Sequence, residues 1–365
     1  MGKQIENQYA PDFVSPPGET LEETLEAIGM SQAELAERTG RPKKTINEII
    51  QGKAAITPET ALQLERVLGV PARFWNERER QYREFLAQQK EARQLAGQVG
   101  WLKQFPIAKM TALGWIKQYD DKTWQLREVL QFFRIASPQQ WSLVTANFRK
   151  SPAFAVDEMA LVAWLRRGEQ EAEDIACAPY DAQQFKAALA AARALTVAEP
   201  VVFVPQLRQM CAECGVAVIF VPELPKSRVS GATRWLKPDK ALIQLSLRYK
   251  TNDHLWFTFF HEAGHILKHG KRDVFIDLVD GEEDRHEAEA NAFAADMLIP
   301  PDAWRTFIET RDYRAKDGIR AFAAEIGIAP GIVVGRLQHE QRIPHRNCNE
   351  LKVVFRWGDE YDHAA

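Results

Sequence analysis

The sequence predicts a mainly α protein with a small β-sheet, built as an N-terminal helix-turn-helix, a helical middle region and a C-terminal α+β domain. Three observations predict it. Apolar residues recur at helical spacing over residues 21–96 and again over 101–198. Gly29, Gly40, Gly52 and Gly69 cut the first stretch into short pieces, and Pro42, Pro58 and Pro71 fall where helices would start. Clear β-rich runs come only after Pro200, at 216–221, 229–236 and 241–247. With 45% hydrophobic and 27% charged residues, the 365-residue chain can build packed cores and is not globally disordered. A net charge of −3 argues against a protein that coats polyanions, though not against a local DNA-reading helix. Four cysteines do not make a disulfide framework.

The expected boundaries are a leader over 1–18, a helix-turn-helix domain over 19–96, a helical middle region over 97–200 and the α+β domain over 201–365. Residues 1–13 lack a basic stretch followed by an apolar core, and no apolar run approaches the roughly 18 residues that cross a membrane. The expectation is a cytoplasmic protein with no membrane partner.

Within the first domain, residues 21–28 read as one helix. Ser31 N-caps a second, with Glu34 at the capping-box position. Gly40, Arg41 and Pro42 form the turn, and a third helix follows over 43–51 with Ile46, Ile49 and Ile50 facing inward. The N-terminal end of such a third helix enters the major groove. Lys43 and Lys44 could meet phosphates there, and Thr45 and Asn47 could reach bases. Residues 1–80 carry ten Lys/Arg against thirteen Asp/Glu, so nonspecific attraction to DNA should be weak. In the middle region Trp101, Phe105, Phe132 and Phe133 read as core. After it come a helix over 201–215, the three β-runs, helices from about Asn252, and a short strand over 351–357. Either of the runs beginning at Gly231 and Ala241 could be a sheet edge that pairs with a peptide backbone.

The strongest chemical signal is His261-Glu262-Ala263-Gly264-His265, set in an apolar helical stretch. Histidines at i and i+4 share one helix face and can hold one metal ion. Glu262 follows the first by one position, so it points aside, where it can take a proton from an activated water without itself ligating. Catalytic zinc needs a third protein ligand. A second helical stretch over 285–294 offers Glu287, which shares a face with Asn291; Asn291 could then fix the tautomer of a ligand histidine. Glu289 lies about 200° around that helix from Glu287 and stands in reserve. His269 and His286 are further candidates, as ligands or as donors to an oxyanion.

The residues from Thr258 to His269, followed by those from Glu287 to Pro300, resemble the ImmA/IrrE family of metallopeptidases. The resemblance implies a zincin-like fold of the gluzincin type, with Zn2+ on His261, His265 and Glu287 and Glu262 as catalytic base. It also implies a protein substrate, in that family a helix-turn-helix repressor. Residues 16–86, with Ser31-Gln32-Ala33-Glu34-Leu35-Ala36 and Ile56-Thr57-Pro58-Glu59, resemble the HigA-type antitoxin subgroup of Xre-like domains. That implies binding of operator DNA as a homodimer and a possible cognate toxin as partner. The functional expectation is therefore a DNA-binding, antitoxin-like regulator carrying a zinc-dependent metalloendopeptidase. Its rival is a non-catalytic repressor or antitoxin whose C-terminal domain only senses or binds a partner.

Overall fold

The computed structural model describes residues 13–142, 158–270, 275–278 and 285–358. The chain forms two compact units, Met1–Gln98 and Val99–Ala365. Among the described residues no single helix is long and apolar enough to cross a membrane.

Among the described residues the first unit holds five helices: α1 (Pro17–Ile28), α2 (Gln32–Thr39), α3 (Lys43–Ile50), α4 (Pro58–Leu68) and α5 (Ala72–Ala96). They enclose a core of Leu21, Leu35, Ile46, Ile49, Leu64 and Trp75. Ser31 caps α2, its hydroxyl accepting from the Glu34 amide at 3.2 Å. The Glu34 carboxylate turns instead to Arg38 at 2.5 Å, so only half of the expected capping box forms. Gly40 ends α2 at φ 67°, where a side chain would be strained. The leader expected over 1–18 lies outside the described residues up to position 12, and α1 already begins at Pro17. Proline suits a first helical turn, and Gly18 lets α1 rest on the backbone of Ile49 and Ile50.

Among the described residues the second unit is centred on a four-stranded sheet of β1 (Val216–Phe220), β2 (Val229–Lys237), β3 (Lys240–Leu245) and β4 (Phe275–Leu278), in the order β1-β3-β2-β4. Its described helices are α6 (Ile107–Ala112), α7 (Lys122–Phe133), α8 (Glu158–Glu173), α9 (Ala182–Ala192), α10 (Pro200–Ala212), α11 (Asn252–Lys268), α12 (Arg285–Leu298), α13 (Pro301–Thr310), α14 (Lys316–Ile326) and α15 (Pro330–His339). β1 runs parallel to β3, and β2 is antiparallel to both β3 and β4. Neither run expected as an edge is one. β2 and β3 are interior strands, because the unforeseen β4 pairs with the outer side of β2. The C-terminal strand expected over 351–357 is also absent among the described residues. A 3-10 turn (Asn349–Leu351) and a single bridge from Val354 to Thr251 stand in its place.

Side chains alternate across a strand, and β2 uses both faces. On one, Arg234 and the β3 residue Gln244 bond the carbonyls of Leu165 and Trp164 in helix α8 (Glu158–Glu173). On the other, the Thr233 hydroxyl donates to the carbonyl of Glu262 at 3.1 Å. Glu262 belongs to α11 (Asn252–Lys268), a helix whose residues from Thr258 to Ile266 are all buried. The stretch read as a helical middle region thus packs on this same sheet, with the Trp164 indole donating to Val221. Trp101, Phe105, Phe133 and Trp141 form an edge-to-face aromatic cluster there.

Further helices pack around α11. α12 (Arg285–Leu298) crosses it where Gly264 leaves no side chain between them, and α14 (Lys316–Ile326) and α15 (Pro330–His339) share its core. The start of α11 is clipped from further along the chain. The Asn252 amide donates to the Val353 carbonyl, the Val353 amide donates back to Asn252 Oδ1, and Lys352 meets Asp253 at 2.6 Å in a nearly buried pair.

Candidate metal centre and nucleic-acid interface

The helical spacing of His261 and His265 brings their Nε2 atoms to 2.9 Å of each other. Glu287 arrives from α12 with Oε2 3.0 Å from His261 Nε2 and Oε1 3.5 Å from His265 Nε2. Ligand atoms of the three residues all lie within 4.8 Å of one another. Both rings are buried and the carboxylate is about a quarter exposed. Asn291, one turn beyond Glu287, sits with Oδ1 2.9 Å from His261 Nδ1. An amide oxygen accepts, so Nδ1 carries the hydrogen and Nε2 presents a bare lone pair to the cluster.

The electrostatics agree with a cation-binding role. Burial pushes the His265 imidazole below its ordinary range, favouring the neutral form that ligates. Burial alone would raise the Glu287 carboxyl. The contacts with His261 and His265 outweigh it and bring it down to about 2, so the carboxylate is ionised at neutral pH. Two imidazole lone pairs and a carboxylate crowded together are an electron-rich set, and a divalent cation relieves exactly that crowding. The residues present fit the metal that the sequence implied.

Glu262 is fully buried beside the cluster. Strand β2 reaches its carboxylate at Gly231, where a Cβ would stand 2.6 Å from Glu262 Oε1. A cleft of about 600 Å³ opens against the same region, lined among others by Ser230, His254, Phe257, Thr258, Asn291 and Ile332.

Glu289, the reserve ligand, is not in the cluster; it lies 3.4 Å from His269 Nε2 and bonds Arg285. His269 itself stands behind His265, Nδ1 to Nδ1 at 2.9 Å. His286 packs against the His269 ring at 4.6 Å between centroids. Two neighbours escaped the sequence reading. Phe275 of β4 stacks on His265 at 4.1 Å, and Gly231 abuts Glu262. The i+4 spacing from His265 to His269 was a signal for their contact, whereas nothing local marks Phe275 or Gly231.

In the first unit Lys43, Lys44 and Asn47 are exposed on α3, Thr45 is half-buried, and Ile46 and Ile49 point into the core. Ile50 is only partly buried. Asn47 Oδ1 accepts from Gln51, and Lys44 lies 3.8 Å from Glu48, so neither side chain is committed to the core.

A helix-turn-helix unit joined to an α+β unit with a His-Glu-x-x-His cluster defines the class: a DNA-binding-type domain linked to a metallopeptidase-type domain. Comparison with known proteins agrees. Residues 21–75 match the helix-turn-helix family model, and residues 213–338 match the model of the IrrE N-terminal-like domain of the M78 peptidase family. The chain thus carries an Xre-like helix-turn-helix domain at its N-terminus and an IrrE N-terminal-like domain at its C-terminus.

Two curated relatives match short stretches of the chain. The chain is 34% identical over 59 residues to an uncharacterised HTH-type transcriptional regulator of Escherichia coli (strain K12), YddM, covering 16% of this chain and 63% of that one. It is 38% identical over 52 residues to virulence-associated protein A of Dichelobacter nodosus, covering 14% of this chain and 51% of that one. The chain therefore spans between half and two thirds of these relatives' lengths. Among solved structures, an addiction module antidote protein of a HigA family from Coxiella burnetii is 29% identical, with a TM-score of 0.21 and coverage of 23% and 92%.

Proposed function

We propose that this protein is an antitoxin-like, DNA-binding regulator whose C-terminal domain is a zinc-dependent metalloendopeptidase acting on a regulatory protein. The observation that carries the reading is the convergence of His261, His265 and Glu287 beside a buried Glu262. Held by these three residues, a zinc ion would supply Lewis acidity to an attacking water and to the peptide carbonyl. Glu262 takes the proton of that water on its carboxylate and delivers it to the leaving nitrogen. Asn291 keeps His261 in the ligating tautomer. The cleft by Thr258 and Asn291 receives a side chain of the substrate next to the scissile bond.

On this reading Lys43 and Lys44 contact phosphates and Thr45 and Asn47 contact bases of an operator. The protein works in the cytoplasm as a homodimer, with a toxin as a further partner. Its substrate is a helix-turn-helix repressor or a similar regulatory protein.

The test is a Glu262→Gln variant, compared with the wild type for metal content and for new protein N-termini in cells. Retained zinc with loss of the cleavage products supports the peptidase. Identical cleavage patterns in the two strains would leave a repressor or antitoxin whose C-terminal domain only binds.

A further inference from the structure

The two ligand histidines are not treated alike by their surroundings. His261 has a side-chain amide on its outer nitrogen. His265 has a third histidine, His269, just past the end of α11 and four residues on, at 2.9 Å between Nδ1 atoms. Two neutral imidazoles at that distance share one hydrogen between the facing nitrogens.

The chemistry of the site decides which ring owns it. His265 Nε2 faces His261 Nε2 and Glu287, so a hydrogen there would block the lone pair a metal needs. A hydrogen on His265 Nδ1, donated to His269 Nδ1, leaves Nε2 bare. His269 must then carry its own hydrogen on Nε2, and that atom lies 3.4 Å from Glu289 Oε2. The other oxygen of Glu289 is held by Arg285 Nε at 2.8 Å. The His269 side chain is only 3% exposed, and Phe275 covers it and His265 together, with centroids 5.1 and 4.1 Å away. Water is thereby kept from offering a competing acceptor.

We propose that His269, backed by Glu289 and Arg285, is the positioning residue of the metal centre: it accepts the Nδ1 hydrogen of His265 and so presents Nε2 to the metal. This rests on the zinc reading above. Each ligand histidine then has its own acceptor, Asn291 for His261 and His269 for His265. Glu289, passed over as a ligand, stands 3.4 Å from His269 Nε2 without a formed hydrogen bond and places its negative charge on that side of the ring.

The experiment measures the zinc affinity of the full chain by chelator competition in two variants. His269→Asn places an acceptor oxygen where Nδ1 stands; His269→Leu fills the same space with none. The leucine variant should bind zinc about 10–100-fold more weakly, and the asparagine variant should stay within a few-fold of wild type. Leucine binding zinc as tightly as wild type overturns the proposal. If the leucine variant does not fold, nitrogen-15 spectra of the imidazoles in the metal-free wild-type chain decide instead. A hydrogen on Nδ1 of His265 supports the proposal and one on Nε2 overturns it. A wild-type chain that binds no zinc removes the metal reading itself and this inference with it, an outcome distinct from a wild type that binds while the leucine variant binds equally well.

Discussion

At the scale of single residues, Glu262 is held by what its neighbour lacks. Gly231 lets β2 lie against the Glu262 carboxylate, and a Cβ there would be 2.6 Å from both Glu262 Oε1 and Thr258 Cγ2. Gly231→Val should therefore push the carboxylate aside or lift the strand, at about 1–3 kcal/mol of stability. Turnover should fall steeply while His261, His265 and Glu287 still hold metal. Chemical denaturation, metal analysis and a cleavage assay on one preparation check this, and a variant of normal activity would refute it. Much of the cluster was legible beforehand because helix geometry is local. The i, i+4 rule places His261 with His265 and Glu287 with Asn291 from spacing alone. Gly231 and Phe275 were not legible, since strand register brings them to the site and register is a long-range property.

Elements carry the next level of constraint. α11 is buried on nearly every side, and its crossing with α12 depends on Gly264, where a Cβ would be 3.0 Å from Phe293 Cδ1 and 3.3 Å from Ala290 Cα. Since α12 brings Glu287, the crossing sets the distance between the carboxylate and the two rings. Gly264→Leu should separate the helices, cost about 1–3 kcal/mol or more and weaken zinc binding far more than a surface change would. A melting curve and a zinc titration read both effects; an unchanged zinc affinity would show that the crossing does not position Glu287. Helices with their own punctuation were readable: Ser31, Gly40 and Pro58 mark ends that the structure keeps. β4 was not, because a four-residue strand has little periodicity and owes its existence to pairing with β2. The final segment erred the other way. Its alternation suggested a strand, yet Val354 makes one bridge and both Val353 and Val354 are exposed.

Across the whole molecule, the buried histidines give the metal-free chain an acid limit. Burial lowers the pKa of His265 and His269 below the ordinary 6.5. The unfolded chain then binds protons more readily than the folded one below pH 6.5, so stability falls as pH drops from there towards the depressed folded-state values. Glu287, brought to about 2 by its imidazole contacts, adds a second loss once pH passes below about 4.5. Thermal melts of the metal-free chain should therefore show a falling midpoint between pH 7 and 5, and a flat profile would contradict the burial of these rings. The division into two units has a bearing on synthesis. The N-terminal unit is complete at Gln98, but the start of α11 is fastened by Lys352 and Val353. At roughly 5–20 residues per second of translation, the first unit leaves the ribosome many seconds before the clasp for the second exists. A chain stopped before position 352 would thus own a finished helix-turn-helix unit and an α11 whose start is unfastened.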